Sequence, residues 1–484
     1  MKKFVQKIIY WILAVCIVCV ISILTFELIL QIIPFVYRNL PVSGTKTYVY
    51  VIGESISVGH PYDSKISFSK IMRYMTDNKI DGRETEFIML AGESERISQQ
   101  YLKYFLYKYT HPFRKGIILC YMKGSGDWAD KSTGYDFSLS LNFNIIGFAR
   151  TYFSDKYDFA YEYERIIKLA KKFGDDMYVS TITGNYAGCM PNNVSSLIGK
   201  DNIKENIKEI DNLILNKKYN DALEKCNNLL KSKEDKSQIW YRIGKIYERQ
   251  NKIMEAKEAY LNGVEYGRDT RPTRYQNRVI KKLAQKYGIN LVDTAGKLDG
   301  FNEIIGYNYF IDIVHPNIKM HIFLADEFLN SLSKRHRINI INSSGGIDPE
   351  KIKSVMNFGR QDMFAAYRDA LGEIFFYSFY NNITDSYNIP KMEEYIGKLK
   401  ELDNEINSAS EGNIKERENR KDIIYISELL VAYIQGNNLK VKEMLNDKKI
   451  VEKIKFGEIK MQCWWVFKGW IIDFMYKIIN NEVV

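Results

Sequence analysis

At 484 residues and 46% apolar side chains, the chain is long enough for two to four domains with substantial cores, and 26% charged residues exclude wholesale disorder. The net charge of +10 comes from lysines scattered along helical stretches. No basic block is interleaved with aromatics, which argues against a nucleic-acid-binding protein and leaves an affinity for anionic lipid or an acidic glycan open.

Lys2, Lys3 and Lys7 precede an apolar run over residues 8–26, which Glu27 and Gln31 interrupt before residues 32–36 resume it. Such a run suffices to cross a bilayer, which takes roughly 20 residues. The lysines before it, against Arg38 just after it, place the N-terminus in the cytoplasm and the main body outside. No Ala-x-Ala-like cleavage site follows, so residues 1–45 read as a cytoplasmic tip with an uncleaved transmembrane anchor rather than a signal peptide.

From Thr47 strand-like and helix-like runs alternate. Strands are expected at 48–52, 86–90, 116–121, 177–181 and 289–292, mostly as continuous apolar runs of the kind buried on both faces. Helices are expected between them, at 66–78, 98–109 and 157–173. This order predicts an open parallel sheet with helices on both faces, binding ligands beyond the carboxyl ends of its strands. Ser55 follows the first strand, Gly92 the second, residues 124–127 the third and Asn185 the fourth, so all four would gather at one rim.

Residues 201–267 form a helical insertion with a 34-residue echo. Trp240, Ile243, Gly244, Tyr247, Ala256, Tyr260 and Gly263 stand at relative positions 4, 7, 8, 11, 20, 24 and 27 of one copy. Leu213, Ala222, Cys226 and Leu229 stand at positions 11, 20, 24 and 27 of the copy before it. The spacing resembles tetratricopeptide repeats, and two copies are too few for a free-standing solenoid, so they are expected to pack on the body. Residues 336–484 read as wholly helical. Lys468, Asp473 and Lys477 in the aromatic stretch at 463–479 argue against a second span.

The chemistry centres on two segments. Gly53-Glu54-Ser55 ends the first strand in a turn, and Asp312-Ile313-Val314-His315-Pro316 puts a carboxylate three residues before a histidine. A serine hydroxyl is a poor nucleophile until a base takes its proton and donors hold the developing oxyanion. His315 is the natural base and Asp312 the group that orients it. Ser57 reads as a packing residue, His60 as part of a turn, and His111, His321 and His336 as structural or exposed. Glu93 and Glu95 read as solvated. The cysteines and histidines show no metal spacing.

These residues resemble the SGNH (GDSL-type) hydrolase superfamily over about residues 46–335. The stretch from Gly53 through Tyr62 is similar to its nucleophile block, Met89-Leu-Ala-Gly92 to its second, Gly124-Ser-Gly-Asp127 to its third, and Asp312 to Pro316 to its last. The resemblance implies a flavodoxin-like three-layer α/β/α sheet over 46–200 and 268–335, and ester or acyl-group chemistry without a cofactor or metal. It also implies an oxyanion hole built on the amides of Ser55 and Gly92. The family's third-block asparagine is Gly126 here, and Asn185 is the candidate replacement. An anchored subgroup with inserted repeats is the most similar. It points to an acylated, chiefly acetylated, envelope glycan or lipid as substrate and to a polytopic membrane acyltransferase as a partner. Gly126 leaves a second reading open, in which the sheet is an inactive scaffold and the repeats recruit an envelope protein.

Overall fold

The computed structural model describes residues 2–39, 45–93, 95–122, 159–191, 201–231, 236–267, 271–341, 347–380 and 387–446. Its core is a six-stranded sheet of β1 (Lys46–Gly53), β2 (Lys79–Ile80), β3 (Arg83–Met89), β4 (Gly116–Tyr121), β5 (Asp176–Ser180) and β6 (Asn290–Val292). The spatial order is β2-β3-β1-β4-β5-β6, with every pairing parallel except β2 with β3. Without the edge strand β2, the order over the parallel strands is 2-1-3-4-5, the doubly wound flavodoxin-like arrangement. All five expected strands are present. The two-residue β2 was not expected, and it arises where Asp81 and Gly82, both at positive φ, reverse the chain into β3.

The helices around this sheet are α1 (Lys2–Asn39), α2 (Ser55–Val58), α3 (Phe68–Met75), α4 (Ile97–Thr110) and α5 (Phe159–Phe173). The insertion supplies α6 (Asp201–Leu215), α7 (Tyr219–Leu230), α8 (Lys236–Arg249) and α9 (Ile253–Tyr266). After it come α10 (Arg274–Tyr287), α11 (Thr294–Asp299) and α12 (Ile318–Leu332). The C-terminal region adds α13 (Pro349–Val355), α14 (Arg360–Tyr380), α15 (Ile389–Ser408), α16 (Ile414–Ile434) and α17 (Asn438–Leu445). Layering follows from strand alternation. On β4, Cys120 meets the Tyr163 hydroxyl of α5, while its neighbour Tyr121 turns to Phe68 of α3. Thus α4, α5 and α10 pack on one face and α3 and α12 on the other. Val49 to Ile52 are fully buried between them.

One apolar core runs through both layers and continues into α14 to α17. The insertion has a small core of its own around Ile210, Cys226 and Ile243, and Tyr241, Ala256 and Tyr260 pack with Ala187 and Met190 of the body. A Cβ on Gly244 would lie 2.6 Å from the Tyr260 ring, so only glycine lets α8 and α9 close this far. Gly244→Leu should cost about 1–3 kcal/mol through overpacking. A thermal melt of the purified protein checks this, and an unchanged Tm would refute it.

The long helix α1 carries an apolar segment, Tyr10–Val36, with a mean hydropathy of 2.8, long enough to cross a membrane. Its last third is docked on the body. Glu27, Leu30 and Pro34 are buried. Tyr109 Oη donates to the Leu30 carbonyl at 2.5 Å, Lys172 Nζ to Gln31 Oε1 at 3.0 Å and Lys115 Nζ to the Arg38 carbonyl at 2.6 Å. The aromatic stretch at 463–479 lies outside the described residues.

Candidate active site

Ser55 opens α2 directly beyond the carboxyl end of β1. Its amide therefore stands where helical N–H groups have no intrahelical acceptor. Two contacts hold the turn. Gly53 N–H donates to Gln100 Oε1 at 3.3 Å, and Ser57, fully buried, donates its hydroxyl to the Tyr121 carbonyl at 3.0 Å. A Cβ on Gly53 would fall 2.4 Å from that same carbonyl oxygen. Gly59 ends α2 at φ +102°, and a Cβ there would sit 2.1 Å from the Ile66 carbonyl oxygen. This glycine reverses the chain and brings His60 back beside the site.

The acid–base segment is a tight loop ahead of α12. Phe310 bridges Pro316, and Ile311 N–H donates to the His315 carbonyl at 2.9 Å. Asn317 caps α12 by accepting Met320 N–H at 3.0 Å. Within the loop Asp312 Oδ1 accepts the amides of Val314 (2.9 Å) and His315 (2.7 Å). Oδ2 lies 2.7 Å from His315 Nδ1. His315 Nε2 lies 2.9 Å from Ser55 Oγ. With Asp312 on Nδ1, the proton belongs there, and Nε2 is left to accept from the serine. Burial alone would raise the Asp312 carboxyl, but the His315 charge and the three hydrogen bonds outweigh it and hold the group below its usual range.

Asn185 corrects the sequence expectation. It is fully buried, its Nδ2 donates to the Asp312 carbonyl at 2.8 Å, and its Oδ1 accepts Gly188 N–H at 2.7 Å. Its own amide donates to the Ile313 carbonyl at 3.1 Å. The side chain is committed to the loop that carries Asp312 and does not serve the serine as an oxyanion donor. Gly92 N–H donates to the carbonyl of Gly53, two residues before Ser55, at 3.3 Å. Gly126 lies outside the described residues.

Several contributors were either read differently from sequence, as His60 and Glu95 were, or not named at all, as Gln100, Tyr377 and Tyr395 were not. His60 packs its ring 4.4 Å from that of His315, and its Nδ1 lies 3.6 Å from Glu93 Oε1. Burial lowers the His60 pKa, but Glu93, Asp312 and Asp369 more than offset it, so His60 titrates above its ordinary 6.5. Glu95 is not solvated. It pairs with Lys103 and accepts from Gln100, the residue that holds Gly53. Tyr395 on α15 donates its hydroxyl to the Ile311 carbonyl at 2.5 Å, and Tyr377 on α14 packs on Ile313 and Val314. The C-terminal helices thus back the acid–base loop. His321 is buried behind it without a hydrogen-bond partner among the described residues, and burial, then the His315 charge, drives it down to about 3, so it is neutral.

The raised His60 pKa gives its contribution to stability a sign. That contribution is complete below the ordinary pKa of 6.5 and is lost as pH rises through the folded value. The Tm gap between the wild-type protein and His60→Gln should therefore be full below pH 6.5 and shrink as pH rises above it. A pH-independent gap in thermal melts would contradict this.

The sequence matches no protein-family model and no curated protein. Among solved structures the chain is similar to TesA, at 10% identity over 60% of this chain and 99% of that one, with a TM-score of 0.28. It is also similar to the psychrotrophic esterase EstA from Pseudoalteromonas sp., at 8% identity over 60% and 97% of the two chains and a TM-score of 0.29. A GDSL-like lipase from Bacteroides thetaiotaomicron is similar at 12% identity over 62% and 94%, again with a TM-score of 0.29. The chemistry of the site stands on its own geometry.

Proposed function

We propose that the chain is a membrane-anchored serine esterase or O-acyltransferase of SGNH type, acting outside the cytoplasm on acyl esters of envelope carbohydrate, with acetyl as the expected group. One observation carries the reading: an unbroken hydrogen-bonded line from Ser55 Oγ through His315 (2.9 Å) to Asp312 (2.7 Å). Ser55 attacks the acyl carbonyl while His315 Nε2 takes its proton, and the ionised Asp312 stabilises the imidazolium that results. The amide of Ser55 faces the developing oxyanion. The Gly92 amide, on a long bond to Gly53, is the second donor an oxyanion would draw. Collapse of the tetrahedral intermediate expels the alcohol with the proton from His315. Water or a carbohydrate hydroxyl, deprotonated by His315, then releases the acyl group. The helices of the insertion, read as a pair of tetratricopeptide-like hairpins, would hold a partner such as a polytopic acyltransferase.

A second reading, an inactive scaffold that binds an envelope protein, is favoured by Asn185, whose amide is taken by Asp312. A fluorophosphonate probe decides between them. Labelling of the wild-type chain that is lost in Ser55→Ala and His315→Ala supports the enzyme. A folded chain that takes no label supports the scaffold.

A further inference from the structure

The docking of α1 restricts how the body can meet a bilayer that this helix crosses. The apolar run ends at Phe26, and the body's first contact with the helix is at the very next residue, the buried Glu27. No stalk separates the two. From there to Arg38 the helix lies against the ends of α4 and α5 and the start of β4. Its outer side stays apolar and exposed through Leu28, Ile29 and Ile32. Held in water, that stripe would be a standing cost of the kind that marks a membrane or partner surface. The same edge of the body exposes Leu106 on α4 and Phe113 in the turn before β4, at 53% and 69%. Basic groups rim it: Arg38, Lys115 tied to the Arg38 carbonyl, and Lys171 tied to the Tyr287 carbonyl. Apolar contacts with cations around them match the acyl–headgroup boundary and its phosphates.

We propose that this edge, formed by the amino ends of the strands, rests in the headgroup layer, so that the Ser55 rim faces away from the membrane. The inference rests on reading α1 as a span. It narrows the substrate class of the proposed enzyme. β1 has 8 residues between the seated edge and the Ser55 turn, a rise of about 26 Å at 3.3 Å per residue. With the strands upright on that edge, an ester in the same bilayer is out of reach at that height, whereas an acylated glycan beyond the lipid surface is within it.

Nitroxide accessibility tests the seating without passing through catalysis. Leu106→Cys, Phe113→Cys and, as a reference on the insertion, the exposed Met254→Cys are each made in the full-length chain with Cys16, Cys19 and Cys463 changed to serine. The three remaining cysteines stay unlabelled: Cys120 and Cys226 are pushed up to about 12 by burial, and Cys189 is buried at 1% exposure. Proteins are placed in phosphatidylcholine–phosphatidylglycerol nanodiscs. The expected result is several-fold lower collision with a water-soluble nickel chelate at 106 and 113 than at 254, with higher collision with oxygen. Equal nickel accessibility at the three sites would overturn the proposal. Fluorophosphonate labelling of the same samples reports separately on the site, so a failed seating and a failed enzyme give different patterns.

Discussion

Asp312→Asn is expected to lower kcat by about 10⁴-fold, with little change in KM. The reason lies in the hydrogen bonds. Oδ1 of the asparagine can still accept the Val314 and His315 amides, so the loop keeps its shape. The group facing His315 Nδ1 at 2.7 Å becomes a donor. It selects the tautomer with the proton on Nε2, which cannot accept from Ser55, and it removes the charge that stabilises the imidazolium. Hydrolysis of p-nitrophenyl acetate provides the measurement, and a loss below about tenfold would refute the assigned role. A pH series adds a second readout. The folded Asp312 pKa lies below its ordinary 3.8, so its stabilisation is present above that value and is lost as pH falls through the folded one. The stability gap between wild type and Asp312→Asn should therefore close only in strong acid.

Asn185→Ala should be the most destabilising single change near the site. It leaves the buried Asp312 carbonyl without its partner and turns the part-buried Gly188 amide to water. The unsatisfied carbonyl costs about 1–3 kcal/mol, with a cavity on top. Thermal melting and fluorophosphonate labelling should fall together, because the loop that carries Asp312 and His315 loses its brace. An oxyanion donor would behave differently, costing about 10²–10³ in kcat with Tm unchanged. That second pattern would restore the role which the sequence suggested and the structure argues against.

The strands were legible because most of them are continuous apolar runs, and their order alone set the ends at which Ser55 and the loop after β6 meet. Asn185 was placed correctly at that rim and misread in role, since a side chain's partner depends on which way a loop turns. The Asp312 carbonyl that it serves is 127 residues away. His60 carried a weak signal. Gly59 is a glycine that must reverse a one-turn helix, which returns the next residue towards Ser55. The backing by Tyr395 and Tyr377 had no local signal, because helix periodicity shows which face is apolar and not what covers it.

That backing also bears on how the protein matures. If the chain is threaded through the membrane from its N-terminus, the nucleophile turn reaches the far side first and the acid–base loop some 260 positions later. The Ile311 carbonyl still waits for the Tyr395 hydroxyl, a further 84 residues along. Domains fold in order as they emerge, so the half-exported polypeptide carries a serine without its clamp. For the enzyme proposed above, the line from Ser55 to Asp312 would be assembled only after the acid–base loop has crossed, and its backing by Tyr395 only later still.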